Sequence, residues 1–401
     1  MQKKQRVCVN NIFSADKSGC YYYRLRFPAA MCECKCADVL RMNYLDIYNV
    51  DNRFFKYTNC NILQRQISDV QRRYFLEYIV PMSKITHSWV IYSIDDPLCG
   101  DDIPRYNQAW DQYQNKDEQD NIKKMLLASD FVLVTTQELA MYYHEKFSVP
   151  RENLLFVQNY LPKHLFGGWY NEDEIIRNYE ANKAKPRVGI IGSPSHFNVK
   201  NVLGDNGKPI DDDFSGIAEY VRKTVDKYQW VVFATKIPAI LDLIESGKVE
   251  YHDGTDMLSY AGAVASLGLQ AIVSPLQDNT FNRCKSNLKV IEPWALGVVP
   301  VVQELPNYAR YTKSTFKNAD ELDARLSASL GDAVTFMKTV KENHAAVEPW
   351  WLENHFRDWL DIFMIRHKNE IVSYDRMKEE EEKRKRVAQI EAEANEAKEV
   401  K

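Results

Sequence analysis

The sequence predicts an α/β protein with two Rossmann-like domains that face each other across a central cleft. The chain has 401 residues, a length that suits two domains of ordinary size. Its apolar content of 45% is sufficient for two buried cores. Short apolar runs alternate with longer stretches of helical periodicity, and this alternation is typical of parallel α/β sheets.

The predicted strands fall into two similar sets, and enough chain separates successive strands for a crossover helix. The first set lies at 6–13, 37–42, 88–93, 131–136 and 154–158, and the second at 187–192, 230–235, 249–252, 271–276 and 298–303. A polar stretch up to Pro186 separates the two sets. We therefore predict a first domain at 1–165, a second at 183–345, a Trp- and Phe-rich helix within 349–372 and a charged tail at 374–401.

Bulk properties exclude several classes of protein. The formal net charge is −4, so no overall basicity indicates a nucleic-acid partner, although a local basic groove stays open. No segment approaches the ~20 apolar residues that span a bilayer, and the N-terminus has no apolar leader. We expect a cytoplasmic protein without a membrane partner. The Cys32-x-Cys34-x-Cys36 cluster lacks zinc-site spacing, so we expect thiols and no metal.

The most informative segment is 274–303, which reads SPLQDNTFNRCKSNLKVIEPWALGVVPVVQ. A predicted strand ends at its start, and ligands bind at the carboxyl ends of strands in open α/β sheets. If a helix begins near Lys285, then Lys285, Lys289 and Glu292 share one face. Two ammonium groups suit a diphosphate, and a carboxylate suits ribose hydroxyls. The alternative is a set of paired surface charges. Pro293 predicts a short or bent helix.

The run PLQDNTFNRCKSNLKVIEPWALGVVPVV resembles the donor-binding segment of retaining GT-B glycosyltransferases of the glycogen-synthase-like group. This resemblance implies the GT-B fold and a nucleotide-sugar donor bound by the second domain, with Glu292 on the ribose. It implies that the sugar-diphosphate pocket is lined by Asn282, Lys285, Ser286, Asn287 and Lys289. Many relatives have the spacing E-x7-E, and Cys284 stands where their first glutamate would be, which leaves the sugar specificity open.

Other parts of the chain are similar to GT-B enzymes more loosely. Gly19 lies in a loop that resembles the first glycine-containing loop of these enzymes, although a plain turn explains it equally well. Gly192, Ser193 and His196 follow a strand that resembles the first strand of the donor domain. Lys236 occupies a place where relatives often hold a phosphate-binding cation. The 349–372 helix resembles the final GT-B helix, which crosses back to the first domain.

The acceptor side is predicted from paired carboxylates. Asp95 and Asp96 follow a first-domain strand, where they can orient an acceptor hydroxyl or take its proton. A helix cap or turn is the alternative, since Asp-Asp-Pro is common in turns. Phage DNA α-glucosyltransferases carry acidic and histidine residues at a similar strand end. We therefore predict Asp95, Asp96 and Lys285 as the catalytic residues.

These expectations combine into one functional hypothesis with two alternatives. The leading hypothesis is the retaining transfer of glucose or arabinose from a UDP-sugar co-substrate to 5-hydroxymethylcytosine in phage DNA, without a cofactor. Arg65, Arg72, Arg73 and Lys84 are the candidate phosphate contacts, although packing of their helix in the first domain explains this stretch as well. One alternative is a glycan- or protein-modifying transferase. The other is a non-catalytic GT-B protein that binds sugar nucleotides.

Overall fold

The structure is a computed structural model, and it describes residues 7–15, 17–65 and 68–365. Two parallel six-stranded sheets account for its strands, one in each half of the chain. The charged tail predicted at 374–401 and the end of the 349–372 segment lie outside these residues. Throughout the described part of the chain, every α-helix is too short or too polar to cross a bilayer.

The first sheet has the strand order β2-β1-β3-β4-β5-β6. Its strands are β1 Cys8–Ser14, β2 Leu40–Leu45, β3 Cys60–Gln64, β4 Trp89–Ser93, β5 Phe131–Val134 and β6 Leu154–Phe156. The sequence prediction missed β3, although it pairs with both β1 and β4. Its Asn61 is buried, and its amide nitrogen donates to Ser83 Oγ at 2.9 Å and Ser88 Oγ at 3.0 Å. Internal hydrogen bonds thus allow a polar residue in a central strand.

The second sheet has the strand order β12-β11-β10-β7-β8-β9. Its strands are β7 Arg187–Gly192, β8 Gln229–Ala234, β9 Glu250–Asp253, β10 Ala271–Ser274, β11 Val299–Gln303 and β12 Thr315–Phe316. Five of them coincide with predicted strands, and β12, with two residues, is too short to give a periodic signal. Two α/β domains of this kind confirm the predicted fold class.

Helices connect the strands and cover both sheets. The α-helices are α1 Gly19–Tyr21, α2 Phe27–Lys35, α3 Asp69–Tyr74, α4 Val80–Thr86, α5 Lys116–Ala128, α6 Gln137–Phe147, α7 Lys163–Phe166, α8 Glu172–Asn182, α9 Ser215–Lys223, α10 Leu241–Glu245, α11 Tyr260–Ser266, α12 Thr280–Arg283, α13 Leu288–Ala295, α14 Pro306–Ala309, α15 Ala319–Leu330, α16 Ala333–Ala345 and α17 Phe356–Phe363. π-Helical turns at Tyr22–Arg26 and Phe75–Ile79 join α1 to α2 and α3 to α4. Such turns are frequent at functional sites.

The segment after the second domain returns to the first. It was predicted as one helix but forms 3-10 turns at Glu348–Trp350 and Leu352–Asn354 before α17. Asn10 Nδ2 of β1 donates to Phe363 O at 2.6 Å, which fixes α17 to the first sheet. Trp359 of α17 is fully buried. The aromatic side chains of Trp359 and Phe363 in α17 therefore belong to the core.

A buried arginine links this returning helix to the strand ends beside the cleft. Arg24 is fully buried, and its Nη1 donates to Val157 O at 2.6 Å and its Nη2 to Val134 O at 3.1 Å. Its guanidinium also lies over the ring of Trp359, 5.0 Å from the centroid. Burial lowers the pKa of Arg24 to about 10. One cation thus donates to a carbonyl at the end of β5 and to a carbonyl just after β6.

We predict that Arg24→Met lowers the free energy of unfolding by about 3 kcal/mol, because Val157 O and Asn159 Oδ1 lose their buried donor. Urea denaturation followed by circular dichroism measures the change. Arg73→Met, at an exposed position, is the matched control and should stay within about 0.5 kcal/mol of wild type. Equal stability of the two variants would contradict the structural role of Arg24.

Candidate functional site

A cavity of about 210 Å³ lies where the carboxyl ends of the two sheets face each other; we call it the central cavity. Both domains line it. The first contributes Gly19, Cys20, Tyr23, Asp95, Asp96, Thr135 and Asn159, and the second His196, Lys285, Ser286, Leu288, Lys289 and Tyr308. The structure thus brings together residues that were predicted separately for the acceptor and donor sides.

Asp96 joins the two domains at the cavity. Its Oδ1 accepts from Lys285 Nζ at 2.6 Å, and its Oδ2 accepts from Arg65 Nη1 at 3.1 Å. Burial alone would raise the pKa of Asp96, but the charges of Lys285 and Arg65 outweigh burial and lower it. Asp95 Oδ1 lies 3.6 Å from Arg65 Nη1. Arg65 has a φ of 42°, which is an unfavourable backbone conformation for a residue other than glycine. Its guanidinium lies beside both aspartates from this position.

Glu292 is held by tyrosines from both domains. Tyr23 Oη donates to its Oε1 at 2.6 Å, and Tyr260 Oη donates to its Oε2 at 3.1 Å. Burial raises the pKa of Glu292, against the opposing effects of Tyr23 and Lys289. This carboxylate can accept further hydrogen bonds through its remaining lone pairs, as a ribose contact requires.

Lys289 and His196 complete the polar wall of the second domain. Lys289 Nζ donates to Ile191 O at 2.6 Å, at the end of β7. Burial lowers the pKa of Lys289, and it also lowers the pKa of His196, whose Nδ1 lies 2.7 Å from Asp213 Oδ2. The N-cap residue of α13, Asn287, makes no side-chain capping hydrogen bond. Leu288 and Lys289 of the first turn of α13 line the cavity beside Lys285, and a helix start next to two lysines favours an anion.

The predicted helix face needs a correction. Because α13 begins at Leu288, Lys285 lies in the preceding turn and not on the helix. It reaches the cavity from that turn, whereas Lys289 and Glu292 do share a face of α13, three residues apart. Pro293 lies inside this short helix, as its sequence position predicted. Gly297 ends the segment with a φ of +71°, in the left-handed region that favours glycine.

The remaining predicted donor residues lie at different distances from the cavity. Asn282 is buried behind it, and its Nδ2 donates to Asp213 Oδ1 at 2.7 Å. Gly192 and Ser193 lead into the turn that carries His196 but do not themselves line the cavity. Lys236 is exposed and lies over the Tyr251 ring. We therefore do not retain Lys236 as a residue of this site.

The four predicted phosphate contacts do not form one surface. Arg65 lies in the cleft beside the two aspartates. Arg72 is 2% exposed and pairs with Asp69 and Glu118, so it is turned inward. Arg73 and Lys84 are exposed on α3 and α4. The expectation that all four contact nucleic acid is therefore corrected to Arg73 and Lys84, because burial removes Arg72 and the aspartates engage Arg65.

Sequence reasoning missed the residues that support this site. Tyr23 and Tyr260 hold Glu292, and Asp213 accepts hydrogen bonds from Tyr106 at 2.6 Å and from Asn282. Tyr23 and Asp213 had a weak signal, since each lies in a polar or aromatic run that follows a strand. Tyr106 and Tyr260 had none, because their roles depend on contacts between distant segments.

No metal-ligand set is evident in the portion of the chain that the structure covers, where no three His, Cys, Asp or Glu side chains converge. All eight cysteines are free thiols. Cys32 is buried and Cys34 is exposed, so the Cys32-x-Cys34-x-Cys36 cluster does not converge on one point.

The two facing α/β domains and the intervening cleft define the GT-B fold. The chain matches no protein-family profile and no curated protein. It is similar to HepE of Anabaena in complex with UDP and glucose, with a TM-score of 0.56 and 9% identity over 89% of this chain and 100% of that chain. A glycosyltransferase of Rickettsia africae gives a TM-score of 0.54 and 10% identity over 89% and 98%.

A third solved structure extends the comparison. It is an α-glucosyltransferase in complex with UDP-glucose and DNA that contains an abasic site, with a TM-score of 0.55 and 9% identity over 89% of this chain and 99% of that chain. At such low identities, these likenesses establish the GT-B fold.

We predict that Asp96→Asn lowers the free energy of unfolding at pH 7 by about 2 kcal/mol, because Lys285 and Arg65 lose their shared partner. The pKa of Asp96 is lower in the folded than in the unfolded chain, where it is about 3.9. The ionised carboxylate therefore stabilises the fold above about pH 4, and this contribution is lost as pH falls through the folded-state pKa.

Urea unfolding at several pH values measures the difference between wild type and variant. Asp111→Asn is the control, because Asp111 pairs with Lys200 across the domains at an exposed site and should change stability by less than about 1 kcal/mol. A difference for Asp96→Asn that stays constant down to pH 3 would contradict the assignment.

Proposed function

We propose that the protein is a glycosyltransferase that transfers a sugar from a UDP-sugar donor to an acceptor hydroxyl. The observation that carries this proposal is the convergence of Lys285, Lys289 and the start of α13 on one cavity between two domains. Glu292 is hydrogen-bonded to Tyr23, which lines the same cavity. The GT-B fold supports it, and the neighbours from Anabaena and the DNA complex were solved with UDP or UDP-glucose. Glucose is accordingly our first candidate sugar and arabinose our second.

The donor fits the second domain by charge. The diphosphate lies beside Lys289, Lys285 and the first N–H groups of α13, and Glu292 accepts from the ribose hydroxyls. Transfer breaks the bond between the anomeric carbon and the phosphate oxygen and forms one from that carbon to the acceptor oxygen. The proton of the acceptor ends on the released phosphate or in solvent. Lys285 and Lys289 stabilise the charge that grows on the leaving phosphate.

The role of the aspartates follows from their environment. A carboxylate with a lowered pKa holds a proton weakly at neutral pH, so Asp96 is a poor general base. We assign Asp96 to the positioning of Lys285 and Arg65. Asp95 faces the same cavity and is our candidate for contact with the acceptor hydroxyl. Retention of the anomeric configuration stays part of this proposal, on the resemblance of the 274–303 segment.

Many relatives have a first glutamate in the spacing E-x7-E, and the residue that stands in its place here bears on catalysis. Cys284 is buried there, and burial raises the pKa of its thiol to about 12. A neutral thiol cannot replace a carboxylate in a sugar contact. Turnover of UDP-glucose, measured as released UDP, therefore separates an active transferase from a protein that only binds sugar nucleotides.

We predict that Lys289→Met weakens UDP binding about 10- to 100-fold but leaves uridine binding near wild type, because its charge acts on the diphosphate. Glu292→Gln should weaken both ligands, because it acts on the ribose. Isothermal titration calorimetry with UDP and uridine gives the comparison. Lys338→Met, at an exposed position of α16, is the control. If both site variants bind UDP like the control, the donor assignment is wrong.

For the acceptor, we propose two candidates, and one is a hydroxymethyl group on a DNA base. The solved neighbour with DNA supports this choice, as do the exposed Arg73 and Lys84. A base within a duplex must be flipped to reach a cleft of this kind. The second candidate is a glycan or protein hydroxyl, and the inward orientation of Arg72 favours it, because fewer cations then remain for phosphates.

A DNA acceptor predicts that hydroxymethylated DNA gains a hexose or pentose when it is incubated with the protein and UDP-glucose or UDP-arabinose. Digestion to nucleosides and mass spectrometry detect the adduct, and unmodified DNA of the same sequence is the control. Arg73→Gln and Lys84→Gln should reduce the salt dependence of DNA binding. No adduct with a donor that the protein demonstrably binds would eliminate the DNA acceptor.

A further inference from the structure

A second cavity lies beside the central one, and we call it the side cavity. It has a volume of about 270 Å³, close to the lower end of the range for small-molecule sites, about 300–1,000 Å³. The chain from the end of β5 to the start of α6, the end of β6, and α14 with the residues that follow it form its walls together with the turn before α13. Thr135, Lys285 and Ser286 line both cavities. A ligand in the side cavity would therefore lie directly next to the donor.

Several buried polar atoms of the side cavity have no hydrogen-bond partner. They are Thr135 Oγ1, Gln158 Oε1, Asn287 Nδ2 and Asn307 Oδ1. Thr135, Asn287 and Asn307 are each at most 4% exposed. A buried polar atom without a partner is costly, and such groups in a folded protein require an explanation. A bound ligand that supplies the missing donors and acceptors is the explanation that the cavity provides.

The orientation of Asn307 is fixed. Its Nδ2 donates to Asn282 O at 3.1 Å and to Lys285 O at 2.9 Å, which leaves Oδ1 as its acceptor for a ligand. The unpartnered set thus contains acceptors, a donor and a hydroxyl that can act as either. A ring with several hydroxyl groups matches this mixture, because each hydroxyl both donates and accepts.

The charges of the side cavity are internally compensated. Arg310 pairs with Glu138, and Lys285 pairs with Asp96. Of the two lining cations, Arg310 is therefore already paired within the side cavity, and Lys285 is shared with the central cavity, where it faces the donor in the proposed function. Phe156 is exposed and Tyr311 is half-buried, so two aromatic rings can pack against the apolar face of a ring. These features favour a neutral ligand.

We infer that the side cavity is the acceptor subsite and that it takes a neutral glycosyl ring of the acceptor. This inference rests on the proposed function, since it places the acceptor beside the donor. A phosphodiester strand fits less well, because Glu138 lies among the lining residues and Arg310 is already paired with it. The inference therefore selects a carbohydrate acceptor over a DNA base.

Saturation-transfer NMR on the full chain in saturating UDP tests the inference. The probes are methyl glycosides of glucose, galactose and N-acetylglucosamine, with 5-hydroxymethyl-2′-deoxycytidine as the nucleoside arm. We expect at least one glycoside to bind. Gln158→Leu and Tyr311→Leu should each weaken that binding about ten-fold, because each variant removes one hydrogen bond or one ring contact. Gln108→Leu, an exposed glutamine that lines neither cavity, is the matched control. Thermal unfolding verifies that each variant folds.

Calorimetry with UDP on the same proteins distinguishes failure of the proposed function from failure of the acceptor inference. If UDP does not bind wild type, the proposed function fails. If UDP binds but no glycoside gives a signal that Gln158→Leu or Tyr311→Leu reduces, the inference is overturned. Binding of the nucleoside alone, reduced by these variants, would also overturn it and would return the side cavity to a flipped base.

Discussion

The carboxylate of Asp96 is the point on which the geometry of the cleft depends. It accepts from Arg65 of its own domain and from Lys285 of the other, so one ion-pair network determines how the loops after β3, β4 and β10 meet. Removing such a partner leaves two partly buried cations, which costs more than an exposed ion pair contributes. The contact also keeps Lys285 beside the central cavity, although no helix carries it.

Hydrogen bonds across the cleft extend this constraint. Thr136 Oγ1 donates to Cys284 O at 3.0 Å, and Asn159 Nδ2 donates to Ser286 Oγ at 3.1 Å, so the turn between α12 and α13 is held from the first domain. Tyr23 holds Glu292 in the same way. The donor residues thus belong to the second domain in sequence, but their positions are determined by the first. A change in the angle between the domains would therefore release several of them together.

The sequence was sufficient to predict the two-domain architecture and the chemical character of the loop within 274–303. Alternating apolar runs predicted ten strands, because burial on both faces of a parallel sheet leaves a local signal. The pattern of apolar runs did not reveal β3, where Asn61 is buried among hydroxyls. Hydrogen-bond partners that are distant in sequence make this polar strand acceptable, and local pattern does not show them. Lys285 was placed on a helix because periodicity does not specify where a helix begins. Arg72 was a candidate phosphate contact, with packing of its helix as the alternative, and its partner Glu118, 46 residues away, could not be identified from local pattern.

The central cavity and the side cavity differ in the polar groups that line them. The central cavity collects two lysines and a helix start, which receive the diphosphate of a nucleotide sugar in the proposed function. The side cavity holds amides, hydroxyls and a paired arginine, the groups to which we assign the neutral glycosyl ring of the acceptor. The shared residues Thr135, Lys285 and Ser286 lie at the boundary, where a leaving phosphate and an attacking hydroxyl would meet the same anomeric carbon. Because Lys285 is already paired with Asp96, the charge that it offers there is fixed in position before either substrate binds, and little reorganisation is needed during transfer.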